Sequence, residues 1–358
     1  MEPSAEIRQR LARIGWRAQA MPADAPANAS IARVVAQHRA GYELHDGAET
    51  FNAQPAPRFL KRGIDPAERP AVGDFVLVSP GSPPQIDTVL PRRTLLARAA
   101  AGERHQRQLI AANVDTVFVL NGLDGDLSAA RIERYLVLVE GSGAKAVVVL
   151  TKADRADDAD AAIATLRARM PDAEIVAVNA KSHESIAPLV QYLGPGNTAV
   201  LVGSSGVGKS TLTNTLLGET RQATAEVREH DSRGRHTTTH RALIMLPSGG
   251  CLIDTPGMRE IKFTGEEDID AGQFADIEAI AQECRFGDCS HQSEPGCAVR
   301  AALADGRLDP ARFQNYQKLR GELAAAADSL EAQMRRKSEA RVLTKALTRR
   351  LTEKYGRH

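Results

Sequence analysis

The stretch GSSGVGKST, residues 203–211, sets Gly203, Gly208, Lys209 and Ser210 in the spacing G-x-x-x-x-G-K-[ST], after an apolar strand pattern and before the helical pattern STLTNTLLG. That arrangement suits a phosphate chain. Glycines let the backbone N–H groups of the loop, through Ser204, Ser205, Gly206, Val207 and Thr211, wrap phosphate oxygens, and the helix N-terminus adds positive potential. Lys209 then reaches the β- and γ-phosphates while Ser210 ligates Mg²⁺.

The base is addressed by TKAD, Thr151, Lys152, Ala153 and Asp154, at the end of the apolar run KAVVVL. A carboxylate held there accepts from both guanine N1–H and N2–H₂, whereas adenine presents no such donor pair, so Asp154 reads guanine by donor count. Lys152 would lie along the base plane. Thr151 stands where Asn is commoner, which leaves the N7 contact open. The segment NAK, Asn179, Ala180 and Lys181, offers the Ala180 amide to guanine O6.

A third segment, CLIDTPGMRE, ends a strand on Asp254 and follows it with Pro256 and Gly257. This D-x-x-G pattern places Asp254 on Mg²⁺ through water and the Gly257 amide on the γ-phosphate, where it senses hydrolysis. Between the phosphate loop and Asp254 lies the polar HDSRGRHTTTH, suited to an order–disorder switch. Thr238 is the first choice to complete the Mg²⁺ shell, with Thr237 and Thr239 as alternatives. After Gly257 comes Met258, whose thioether cannot orient a water. Slow intrinsic turnover is expected, and His236 is the candidate to take over that water; a solvent-facing His in the switch is the other reading.

Further along, CRFGDCSHQSEPGC sets Cys284, Cys289, His291 and Cys297 in the spacing C-x₄-C-x-H-x₅-C, able to close a tetrahedral shell on Zn²⁺. Four protein ligands leave no open position, so the metal is expected to be structural. Cys251 sits alone in an apolar strand and reads as a packing residue.

The elements that must position these groups change character along the chain. Residues 1–29 read as a flexible lead-in, Ile7, Leu11 and Ile14 at helical spacing preceding an Ala/Pro stretch. Residues 30–95 show short alternating segments separated by Gly, Pro and Asp, the pattern of a small β-barrel of the oligonucleotide/oligosaccharide-binding (OB) size. Two readings of that barrel stand: nucleic-acid contact, or a module that merely packs on its neighbour. Residues 96–108 read as a basic connector. From 109 to 265 apolar strands alternate with helices, which argues for a parallel sheet covered on both faces, an α/β P-loop nucleotide domain. Residues 266–358 read as a helical, zinc-binding unit with a basic tail: from Glu331 onward nine Lys/Arg face three acidic residues. That tail is either an RNA-contacting or a solvated helix face.

The segments run base reader, NAK, phosphate loop, Thr switch, D-x-x-G. In nucleotide-hydrolysing domains the phosphate loop usually opens the domain. The order here is that of a circular permutation, the same sheet cut elsewhere with its usual ends joined. Length, 42% hydrophobic residues and a formal charge of +1 suit two or three soluble units. The N-terminus MEPSAEIRQR lacks an apolar h-region and no run approaches a membrane span, so a cytoplasmic protein without membrane contact is expected.

With AVGDFVLV, LPRRTLLAR, AANVDTVFVL, RIERYLVL, VVVLTKAD, GSSGVGKSTL, GRHTTTH and IDTPGMRE on view, the chain resembles the ribosome small-subunit-dependent, circularly permuted GTPases of the RsgA type over nearly its whole length. The resemblance implies binding to the small ribosomal subunit and its rRNA late in assembly, hydrolysis of GTP to GDP stimulated by that subunit, and zinc on the four residues named above. A monomer is expected. The alternative is a GTP-dependent RNA-binding sensor whose hydrolysis is incidental. A metabolic kinase or ATPase is opposed by Asp154.

Overall fold

The computed structural model describes residues 4–18, 21–23, 25–26, 28–61, 64–100, 107–218, 241–255, 262–267, 269 and 272–355. His236, Thr237, Thr238, Thr239, Gly257 and Met258 lie outside them.

Five strands, β1 (Ser30–His38), β2 (Gly41–His45), β3 (Thr50–Pro55), β4 (Phe75–Ser79) and β5 (Gln85–Val89), build the barrel. They close in the order β1-β2-β3-β5-β4 and back to β1, with β3 and β5 parallel. Ala32, Val34, Leu44, Val76, Val78 and Ile86 point inward and fill it, as closure of a small barrel requires.

Helix α1 (Ala5–Arg13) precedes the barrel, its N-terminus capped by Ser4. Leu11, Ile14 and Trp16 are buried against Ile31, Phe75, Leu77 and Leu90. Trp16 meets Phe75 edge-on with ring centroids 4.9 Å apart. The first part of the expected lead-in is therefore docked, because its apolar spacing finds the outer face of β1 and β4. The expected connector is also structured: β6 (Leu95–Ala99) and β7 (Arg107–Ala112) pair as an antiparallel hairpin. Ala-rich, basic sequence hid the alternation, although Leu96, Leu109 and Ile110 are buried.

The nucleotide domain follows as β8 (Thr116–Gly122), α2 (Ala129–Glu140), β9 (Lys145–Thr151), α3 (Ala159–Arg169), β10 (Ile175–Ala177), the short α4 (Ala187–Val190), β11 (Thr198–Gly203), α5 (Lys209–Leu217), β12 (Ala242–Met245) and β13 (Cys251–Asp254). The strands lie in the order β10-β9-β8-β11-β13-β12, parallel except for β12. Every residue of β8 and β11 is buried, since helices cover both faces. One face packs on Tyr135, Leu138 and Val139 of α2. The other packs on Leu212 and Leu217 of α5. The strand that carries the phosphate loop is fourth in sequence yet central in space, which is the permutation expressed as topology.

Two joints fix the units. At Ala36↔Ala242, β1 pairs with β12 and so extends the nucleotide sheet into the barrel. Beside it Arg33, fully buried, donates to the carbonyls of Ile14 (2.5 Å), Gly73 (3.1 Å) and Asn113 (3.1 Å) and to Thr198 Oγ1 (2.8 Å). The second joint holds the C-terminal unit, α6 (Ala275–Gln282), α7 (Ala298–Ala304) and α8 (Pro310–Tyr355). Glu133 of α2, fully buried, accepts from Arg169 Nε at 2.8 Å, Arg312 Nη1 at 2.8 Å and Asn315 Nδ2 at 2.5 Å. Such a carboxylate persists in the interior only because its oxygens are saturated by donors. Helix α8 is about 69 Å long at 1.5 Å per residue. Most side chains of its basic last part lie outside those described.

Candidate nucleotide site and metal centre

The parallel strands end at one edge, and the sequence-predicted segments leave from it. Gly203 closes β11, and an ideal Cβ there would lie 2.7 Å from the Leu120 carbonyl, so only glycine lets β8 approach. The loop then turns through Gly206 (φ 79°) and Gly208 (φ 103°), left-handed conformations that favour glycine, and opens α5 at Lys209.

The segment TKAD, expected to read the base, leaves β9 beside this loop. Thr151 is fully buried and its hydroxyl donates to the Val207 carbonyl at 2.6 Å. A Cβ built on Gly208 would lie 3.8 Å from Thr151 Cβ. Residues 151 and 207, distant in the chain, are thus in contact. Thr151 spends its donor on the phosphate loop, a use of the commoner Asn's place that spacing alone did not reveal. Lys152 adopts a left-handed conformation (φ 59°), and Ala153, Asp154 and Arg155 form one 3-10 turn after it. The NAK segment is held from both sides: Ser185 Oγ accepts the Asn179 amide at 2.8 Å, Lys181 N donates to Asn179 Oδ1 at 3.0 Å, and Thr215 Oγ1 of α5 donates to the Ala180 carbonyl at 2.6 Å.

Lys209 is buried and donates to the carbonyls of Gly203 (2.9 Å) and Ser204 (2.6 Å). Burial brings its pKa down to about 8, with the Asp254 carboxylate countering. Asp254 is itself buried at the end of β13, and the next residue, Thr255, donates its hydroxyl to Leu201 O at 2.7 Å, locking β13 to β11. Ser210 follows Lys209 on the first turn of α5.

The depressed pKa has a consequence with a definite sign. A lysine whose folded pKa falls from 10.5 to about 8 binds fewer protons when folded. It therefore costs stability below about pH 8, a cost relieved as pH rises toward 10.5, up to roughly 3 kcal/mol in all. Phosphate oxygens favour the ammonium, so GDP binding near pH 9 should take up most of one proton. Calorimetry in buffers of different ionisation enthalpy measures this. A proton count near zero, or the same uptake in Lys209→Ala, would contradict the assignment of Lys209 to the phosphates.

The second constellation lies in the C-terminal unit. One ligand atom from each of Cys284, Cys289, His291 and Cys297 falls within 4.8 Å of the others. Cys284 Sγ and Cys297 Sγ are 3.9 Å apart, and His291 Nδ1 is 3.6 Å from the first and 3.5 Å from the second. A tetrahedral zinc with Zn–S of about 2.3 Å and Zn–N of about 2.05 Å requires edges of about 3.8 and 3.6 Å. The donor set and its spacing fit that ion. His291 sits at φ 62°, a left-handed conformation in the loop that gathers the thiols. Cys297 is buried in the core of the unit with Val299, Phe313 and Tyr316. Cys251 packs in the nucleotide-domain core.

A profile described as RsgA GTPase matches residues 89–264. The small ribosomal subunit biogenesis GTPase RsgA of Xylella fastidiosa (strain 9a5c) is 54% identical over 325 residues, covering 88% of this chain and 94% of that relative. The chain belongs to the RsgA GTPase family. Its namesake in Xanthomonas axonopodis pv. citri (strain 306) is 58% identical over 301 residues, covering 84% of this chain and 82% of the relative. Among solved structures, YjeQ from Thermotoga maritima superposes with a TM-score of 0.58 at 27% identity, covering 83% of this chain and 99% of that one. YloQ, described as a circularly permuted GTPase, shares the fold with a TM-score of 0.57 at 24% identity, covering 86% of this chain and 98% of that one. As an RsgA GTPase the chain is a GTP hydrolase, and its fold is the permuted P-loop domain preceded by an OB barrel. Among the described residues no helix is long and apolar enough to cross a membrane.

Proposed function

We propose that this RsgA GTPase binds the small ribosomal subunit and its rRNA during late maturation and hydrolyses GTP when that subunit stimulates it. The observation that carries the reading is the hydrogen bond of Thr151 to Val207, which joins the segment read as guanine-binding to the loop read as phosphate-binding. The relatives' name, small ribosomal subunit biogenesis GTPase, supplies the partner.

In this reading Asp154 accepts from the guanine N1–H and N2–H₂, Lys152 and Ala153 line the base, and the Ala180 amide between Asn179 and Lys181 meets O6. The N–H groups from Gly203 through Thr211 hold the phosphates. Ser210 and Thr238, together with Asp254, would hold Mg²⁺, which would supply neutralising charge to the phosphates. Water attacks the γ-phosphorus, the bond to the β–γ bridging oxygen breaks, and GDP and phosphate leave. Lys209 stabilises the charge that develops, Gly257 reports the γ-phosphate, and His236 orients the water that Met258 cannot. Cys284, Cys289, His291 and Cys297 would hold one structural Zn²⁺. The barrel and the Lys/Arg-rich sequence from Glu331 onward supply positive charge to rRNA. The protein acts as a cytoplasmic monomer.

Turnover measured with and without purified small subunits tests this. A stimulation of about a hundredfold or more is expected, and His236→Ala should keep GTP affinity while losing most of it. Flat turnover with GTP-raised RNA affinity would favour the sensor instead.

A further inference from the structure

The turn Leu123–Leu127 leaves β8 between the two nucleotide-binding segments, and its backbone is pinned to one of them: Leu123 N donates to the Thr151 carbonyl at 2.8 Å. Asp124 Oδ2 of this turn lies 2.5 Å from Lys152 Nζ. Lys152 is one of three non-glycine residues with positive φ among those described, a conformation that persists only where the surroundings over-determine it. The space beneath the pair also has a cause in the sequence. A Cβ built on Gly122 would lie 2.5 Å from Asp124 Oδ1 and 3.5 Å from Lys152 Nζ, so the carboxylate occupies room that exists because residue 122 has no side chain.

With side-chain exposures of 25% and 31%, the pair is too solvated to contribute much to folding. Its consequence is orientation. A lysine stem has four rotatable carbons, and ordering it on binding costs affinity unless something orders it beforehand.

We propose that Asp124 is a positioning residue for Lys152, fixing the ammonium and its stem along the plane of the bound purine so that Asp154 meets an ordered base. The inference rests on the reading of residues 151–154 as the guanine segment. The ammonium beside Asp124 holds its carboxyl below the usual carboxylate range, as an ion pair formed in the folded protein requires. Asp126, two residues on, donates its amide to Asp124 Oδ1 at 3.4 Å, while its own carboxylate accepts from Ser204 Oγ at 3.0 Å and Arg131 Nη1 at 2.7 Å. The Ser204 bond falls on the Asp126 carboxylate and the Lys152 bond on that of Asp124, so the loss of the Asp124 carboxylate falls on binding.

The experiment is a double-mutant cycle read by titration of a fluorescent GDP, with Asp124→Ala, Lys152→Ala and the double variant, and steady-state kinetics on each. Asp124→Ala should weaken GDP roughly tenfold, with the loss in KM rather than kcat, and in the Lys152→Ala background it should cost less than about twofold. Gly122→Ala, which keeps both charges but crowds the carboxylate, should weaken GDP only while Lys152 is present. Asp124→Asn, which keeps the shape and removes the charge, should behave as Asp124→Ala. If Lys152→Ala weakens GDP while Asp124→Ala binds like the parent, or if the two losses multiply in the double variant, the inference is overturned and the guanine segment stands. If Lys152→Ala binds GDP like the parent, the reading of that segment falls and the inference with it.

Discussion

Asp154→Asn should move the nucleotide preference from GTP to XTP. In the proposed site the carboxylate accepts two hydrogen bonds from guanine, each worth about 1.5–3 kcal/mol with a charged acceptor, so its loss should weaken GTP by about 10²–10⁴-fold. The asparagine amide instead offers Oδ1 to the xanthine N1–H and Nδ2 to its C2 carbonyl, the pattern xanthine presents and guanine does not. XTP binding and hydrolysis should recover accordingly, because Lys209, Ser210 and the loop are unchanged. Competition of GTP, XTP and ATP against a fluorescent nucleotide measures it. A variant that loses GTP without gaining XTP would show that Asp154 acts elsewhere than on the base edge.

Removing the zinc proposed for the Cys284, Cys289, His291 and Cys297 cluster should have an effect of similar size on a different unit. Structural zinc contributes on the order of 10 kcal/mol to the folding of small domains, and Cys297 lies in the same core as Phe274, Phe313 and Tyr316. Chelation, or Cys289→Ala, should therefore abolish amide-exchange protection across 275–319 while GDP binding changes by only a few fold. The sheet and its loops draw their stability from separate apolar clusters. Metal analysis of the purified chain should return one zinc. Full protection in metal-free protein would contradict a structural role for the cluster.

The segments of the candidate nucleotide site were legible because their motifs are local: Gly208, Lys209 and Ser210 are contiguous, and Asp154 follows its strand by three residues. The permutation was legible as order alone, since the chemistry needs each segment and not their succession. What escaped is long-range. Nothing in TLLARAA and RHQRQLIAA marks them as partners in a hairpin, as their pairing depends on Leu96, Leu109 and Ile110 finding a common core. Arg33 reads as an ordinary basic residue in a strand, yet its fork is satisfied by acceptors 19 to 165 residues away. Asp124 and Thr151 likewise acquire their partners only when β8, β9 and β11 are set side by side. The docking of α1 shows the reverse case. Its apolar spacing was visible, but the Ala/Pro stretch after it obscured the fact that Trp16 anchors it to Phe75.

The account depends most on one purine being read near 154 while its phosphates lie in the loop that ends near 211. A crystal structure of the complex with a non-hydrolysable GTP analogue measures this directly. The guanine edge should lie within hydrogen-bonding distance of the Asp154 carboxylate, with the β-phosphate cradled between Gly206 and Ser210. A purine ring seated away from residues 151–154 would contradict it.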